Sequence, residues 1–112
     1  MYEYQAHVTG VYDADTITVD IDLGFGIWMK KQKIRFAYID AWEIRGEERE
    51  KGIIARDLVR EWILDKDITI RTLKDVKGKY GRWLGIILFK DGKQVVNVNE
   101  KLVALGHAVL YD

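Results

Sequence analysis

The sequence predicts an α+β fold: a five-stranded Greek-key β-barrel, a helix between strands 3 and 4, and a short C-terminal helix. Three observations carry this. Residues 16–22 alternate with period two, residues 47–64 switch to helical spacing, and short apolar runs elsewhere are separated by glycine-bearing turns. At 112 residues the chain is expected to be one domain, 1–112, burying roughly two-thirds of the surface it exposes unfolded.

The elements follow in order. Residues 6–12 and 16–22 read as strands; in the second, Ile17, Val19 and Ile21 alternate with Thr16, Thr18, Asp20 and Asp22, giving one buried face. Leu23-Gly24-Phe25-Gly26-Ile27-Trp28 turns the chain into a third strand, which is expected to continue through Ile34, Phe36 and Tyr38 and stop near Asp40. Within 47–64, Ile54, Leu58, Val59, Trp62 and Ile63 form an apolar stripe, and Glu48, Arg49, Lys51, Arg56 and Arg60 a solvated face. A strand at 67–73 precedes a polar loop at 74–81. A hairpin of 82–89 and 93–97 is expected to turn at Asp91-Gly92. Asn99 is the expected cap of a final helix that ends at Gly106. No internal repeat or linker interrupts this series, and its pattern of strands and helix suggests an OB-fold.

Composition narrows the chemistry. With no cysteine there is neither a disulfide nor a thiolate zinc site, and two isolated histidines, His7 and His107, do not make a histidine-rich one. A metal here must be held by oxygen, which points to Ca²⁺, Mg²⁺ or Mn²⁺. Eighteen basic residues balance eighteen acidic ones, so a polyanion has to be gripped by a local patch. The longest apolar run, Trp83 to Phe89, is too short to cross a bilayer, and no membrane role is expected. Met1-Tyr2-Glu3-Tyr4 has neither a basic nor an apolar leader region; a cytoplasmic location is the default, though a secreted mature form reads the same.

Three polar groups stand out, each with a plain alternative. Asp13-Ala14-Asp15-Thr16 opens a strand, where aspartate commonly stabilises a turn. Arg35 has opposite parity to Ile34 and Phe36, and Asp40 and Glu43 follow at the strand's end, where loop polarity is ordinary. Lys79-Tyr80-Gly81-Arg82 enters an apolar strand, and with Lys74 and Lys77 either steers phosphate or keeps an edge soluble. Lys30, Lys31 and Lys33 pose the same choice between tracking a nucleic-acid backbone and blocking edge pairing. Trp28, Trp62 and Trp83 are expected to pack at the core or barrel end, and both histidines to be structural.

Taken together, Val11-Tyr12-Asp13-Ala14-Asp15-Thr16, Ile34 to Glu43, Tyr80-Gly81-Arg82, and Asn99-Glu100 with Gly106 resemble the staphylococcal nuclease (thermonuclease) family in order and approximate separation, over about residues 6–111. Arg45 to Gly52 resembles the helix start of compact bacterial and phage-type members. The resemblance implies an OB-fold and Ca²⁺-dependent cleavage of DNA and RNA, single-stranded or denatured polymer preferred. It implies Asp15 and Asp40 as carboxylate metal ligands with the Ala41 carbonyl, Glu43 on the attacking water, Arg35 and Arg82 on phosphate, and Tyr80 and Lys79 toward the substrate. The chemistry suits these residue types. A hard cation takes carboxylate oxygens, and arginine forks match phosphate oxygens as lysine does not.

Three departures stand against it. Ala14 replaces a usual glycine, Trp42 replaces a common proline, and Asp112 comes before the last helix of longer members, leaving its place for a partner chain in a homo-oligomer. The alternative from another class is a non-catalytic OB-fold module that binds nucleic acid or protein.

Overall fold

The computed structural model describes residues 2–77 and 81–111, with backbone alone at 74–77. Strands β1 (Glu3–Asp13), β2 (Thr16–Asp22) and β3 (Trp28–Phe36) form an antiparallel meander. After a short β4 (Ile39–Ala41) and a single 3₁₀ turn at Gly46–Glu48 comes helix α1 (Arg49–Ile63). Then follow β5 (Asp67–Lys77), β6 (Trp83–Asp91), β7 (Gln94–Asn97), helix α2 (Val98–Ala104) and β8 (Ala108–Leu110). The sheet runs β3-β2-β1-β5-β6-β7, and β3 meets β6 in parallel, so five strands close a barrel of mixed sense. The expected α+β, OB-like barrel is present, with α1 between its third and fourth barrel strands.

Closure depends on a residue with no side chain. A Cβ on Gly85 would lie 2.8 Å from the Ile70 Cγ2 and 3.4 Å from the Ile34 Cγ2, where β6 crosses between β5 and β3. Inside, Val8, Ile17, Val19, Ile34, Phe36, Ile70 and Ile87 are fully buried, and the inward faces of Val59 and Ile63 from α1 and Leu102 from α2 join them. The alternation in β2 thus does what its pattern predicted, sending Ile17, Val19 and Ile21 inward.

Several local expectations change. The third strand does not run on to Asp40: the chain turns at Ala37–Tyr38, with Tyr38 at φ +67° and exposed, and β4 pairs with β8 instead of continuing β3. The buried stripe of α1 is Gly52, Ala55, Val59 and Ile63, and Ile54 is exposed. The strand expected at 67–73 extends to Lys77, shortening the polar loop. Asp91 pairs with Gln94, so the hairpin turns on Gly92-Lys93, with Gly92 at φ +64°. Asn97 caps α2 by accepting from the Glu100 amide, and Asn99 lies inside the helix. Asn99 is instead a buried tie, accepting from the Ile87 amide and donating to the Ala37 and Gly85 carbonyls. Trp62 and Trp83 flank the core as expected, but Trp28 is exposed. Among the described residues no helix is long and apolar enough to cross a membrane.

Candidate active site

The Asp13–Thr16 turn delivers the first acid. The Asp15 amide donates to the Asp13 carboxylate at 3.1 Å, a side chain closing its own turn. Ala14 keeps a negative φ and its methyl is fully buried, so this turn has no need of glycine. Asp15 is itself buried. Its Oδ2 accepts from the Ala41 amide at 2.8 Å and sits 3.1 Å from Arg35 Nη1, while the Thr16 hydroxyl donates to Oδ1 at 3.3 Å.

Arg35 comes from the outer face of β3, paired across to Thr16. Its Nη1 also donates to the Phe36 carbonyl at 3.0 Å, and Nη2 lies 3.4 Å from Asp40 Oδ1. Asp40, on β4, is half-exposed, and the chain then carries Ala41, Trp42 and Glu43 along the same wall. Trp42 does not approach as a free stacking face. Its Nε1 donates to the Gly106 carbonyl at 2.9 Å, and the Lys51 ammonium lies 4.9 Å from its ring centroid.

Glu43 is placed by α1. A Cβ on Gly52 would collide with the Glu43 carbonyl oxygen, so the helix approaches this loop only because residue 52 has none. The Glu43 amide donates to the Glu48 carboxylate at 3.1 Å, which fixes the loop from the other side. Arg82, just before β6, completes the wall.

These residues line one polar cavity of ≈340 Å³: Asp13, Asp15, Arg35, Asp40, Ala41, Glu43 and Arg82, with Tyr12, Ile44 and Arg45. A cavity of ≈540 Å³ elsewhere is larger, but it lacks this concentration of acids facing arginines. The sequence does not single out Arg45, whose Nη2 donates to the Tyr12 hydroxyl at 2.7 Å, and offers Asp13 only within the Asp13–Thr16 motif, with a turn as its alternative. Their nearness to Glu43 and Asp15 in the chain was the available signal. Lys79 and Tyr80 lie outside the described residues.

Four acids and three arginines share this space. The Asp13 carboxyl is pushed from 3.8 up to about 7, first by burial, then by the hydrogen bond and the charge of neighbouring Asp15. Crowded carboxylates of this kind suit a cation. No group of three His, Asp or Glu among the described residues forms a metal cage, so a cation here would rest on Asp15, Asp40 and a backbone carbonyl, with water completing its shell. At Ala41 it is the amide that hydrogen-bonds Asp15. The oxygen donors fit a hard, water-rich ion such as Ca²⁺.

Residues 33–112 match the family described as staphylococcal nuclease homologue. The chain belongs to that family. The match takes in Arg35, Asp40, Glu43 and Arg82; Asp15 lies before it and is brought in by the β2–β3 pairing. An uncharacterised protein of Methanocaldococcus jannaschii is 26% identical over 129 aligned positions, covering 96% of this chain. The chain spans 59% of that relative's length. As a staphylococcal nuclease homologue, the protein has the barrel that its family implies, and its acids and arginines meet where the strands β2 and β3 and the start of β6 come together.

Proposed function

We propose that this staphylococcal nuclease homologue is a Ca²⁺-dependent phosphodiesterase that hydrolyses DNA and RNA, single-stranded or denatured polymer first. The observation that supports it most is the convergence of Asp15, Arg35, Asp40, Glu43 and Arg82 on one ≈340 Å³ cavity from four separate stretches of chain.

Asp15 and Asp40, with the Ala41 carbonyl, are the groups that would hold the ion. When bound, Ca²⁺ supplies positive charge that offsets the phosphate's repulsion of an incoming nucleophile. The remaining work belongs to side chains. Arg35 has five N–H donors, of which Asp15, Asp40 and the Phe36 carbonyl engage three, leaving two for a phosphate oxygen. It is held on three sides, so it presents these donors with little reorganisation. Arg82 provides a second guanidinium in the lining of the same cavity. Glu43, exposed at the mouth and fixed through its backbone to Glu48, is available to orient a water and to accept its proton.

A binding module is the second reading. It is favoured by the doubly ion-paired Arg35, which offsets one of the two charges of Asp15 and Asp40 without any cation. Digestion of single-stranded DNA and RNA with Ca²⁺, with Mg²⁺ and with chelator separates the two. The enzyme reading expects both polymers cut in Ca²⁺ and spared in chelator. Intact polymer at every cation and pH, with salt-sensitive association retained, leaves the binding module.

A further inference from the structure

The β2–β3 hairpin carries a feature that the catalytic cavity does not use. In β3, Ile34 and Phe36 point inward and Arg35 and Lys33 outward. Val19 pairs with Gln32 and Ile21 with Met29, so Lys30 and Lys31 together oppose Asp20 across a bulge. Lys31, at φ +56°, is the residue that takes the bulge's left-handed conformation. The outer face of β3 therefore reads, in a line from the cavity, Arg35, Lys33, Lys31 with Lys30, and Trp28. At about 3.3 Å per residue this line extends for roughly 20 Å.

Charges along the line are not evenly cancelled. Asp20 accepts from the Lys31 amide at 3.0 Å and lies 3.4 Å from the Lys30 ammonium, and Asp22 accepts from the Gly24 amide at 2.8 Å. Both acids are thereby engaged within the hairpin. The ammonium groups of Lys31 and Lys33 form no ion pair among the described residues, and their side chains are exposed. Opposite Lys33 and Arg35 stand Thr18 and Thr16, which do not repel an anion. At the far end Trp28 is exposed, with the Lys30 ammonium 5.4 Å from its ring, and Phe25 at the hairpin tip is fully exposed.

We propose that this face of β3, running from Arg35 through Lys33, Lys31 and Lys30 to Trp28 and Phe25, is the track by which single-stranded nucleic acid leaves the catalytic cavity. The proposal rests on the phosphodiester reading of that cavity and extends it to the flanking polymer. Lysines at this spacing neutralise successive phosphates, and exposed aromatic rings stack bases without regard to sequence. Pairing of β3 with β6 covers only Ile34 to Phe36, so residues 28–33 lie outside that pairing. Blocking that edge accounts for lysine alone; it does not account for exposing Trp28 at the end of this line and Phe25 at the hairpin tip beyond it.

The test measures binding of labelled single-stranded oligonucleotides of ~4 and ~16 nucleotides in chelator, where the polymer is not cut. A second assay follows Ca²⁺-dependent cleavage of a dinucleotide diester. The wild-type protein is expected to bind the longer strand about tenfold more tightly than the shorter. Replacing Lys30, Lys31 and Lys33 together by Gln should abolish that preference and lower the salt slope by about 2, three contacts at about 0.7 each. Trp28→Ala with Phe25→Ala should cost about tenfold on the long strand. Dinucleotide turnover should be unchanged in both variants. Long-strand binding equal to wild type in both overturns the track. Length-dependent binding through these residues by a protein that cuts nothing keeps the track and rejects the phosphodiesterase.

Discussion

Asp13 and Asp15 are one residue apart, and the turn that joins them uses one carboxylate to hold the other's amide. That arrangement places two acids where water is scarce, and Asp13 answers by holding its proton to about pH 7. An acid whose folded pKa lies above 3.8 contributes stability below that value, and loses it as pH rises through about 7. In chelator, unfolding stability should therefore fall across this window. Asp13→Asn, which keeps an acceptor for the Asp15 amide, should remove the fall and gain about 1 kcal/mol at pH 8, discounted for the water that reaches this carboxyl. Urea titrations of both proteins at pH 5 and pH 8 measure it; parallel curves would reject the assignment. Under Ca²⁺, Glu43→Gln should lower turnover by about 10²–10⁴-fold and Arg82→Ala by about 10²–10³-fold, with thermal melting near wild type. Full activity in either removes that residue from the mechanism. At this scale the sequence was informative where residue type itself limits the chemistry, as with three acids and two arginines. It did not single out Arg45 and left the role of Asp13 open, because a turn aspartate and a pocket aspartate look alike until the fold sets their surroundings.

Helix α1 is held to the site by an absence. Glycine inside a helix costs about 1 kcal/mol relative to alanine, a cost set here against the close approach of the Glu43 backbone. Gly52→Ala should improve helix propensity and still destabilise the protein by about 1–3 kcal/mol, because its methyl must displace the Glu43 carbonyl. Turnover should drop with it, since the displaced loop carries Glu43. A variant that is both more stable and fully active would show that the loop yields freely. Asn99 makes the same point through polar contact: its three bonds join β6, the turn after β3 and α2. Asn99→Ala removes its bonds to the Ile87 amide and the Ala37 carbonyl, while the Gly85 carbonyl keeps the Ala37 amide, and should cost about 2–4 kcal/mol in chemical denaturation. Helical period was legible in 47–64, yet it selected Ile54 for the buried stripe because hydropathy does not know the rotation of a helix about its axis. Asn97 and Asn99 differ only in which carbonyl or amide each can reach, and that is a tertiary fact.

For the whole molecule, a net charge of zero makes ligand linkage more informative than bulk electrostatics. If Ca²⁺ binds the folded site and not the unfolded chain, a concentration one hundred times its dissociation constant should raise stability by about 2.7 kcal/mol. Calorimetry with and without the ion reads this independently of catalysis, and an unchanged melting temperature at saturating Ca²⁺ would count against the ion's place in the cavity. The barrel was legible because its strands are local runs with one apolar face. What the runs could not announce was the pairing of β3 with β6 or of β4 with β8, since partners so distant leave no mark on either segment alone.

The parallel seam between β3 and β6 bears on how the candidate site is assembled. Ile34 finds Trp83 only after α1 and β5 have been laid down between them, so this is a contact of large loop-closure entropy, favouring late formation. The β1–β2–β3 meander has no such burden and can collapse first. Arg35 stands on one side of the seam and Arg82 immediately before the other. A chain that has folded its meander but not yet closed its barrel would already hold Asp13, Asp15 and Arg35 together, yet lack the second arginine. In refolding, the activity proposed for this cavity should return with the slow closing phase rather than with the early rise in secondary structure, so that barrel closure itself would complete the site.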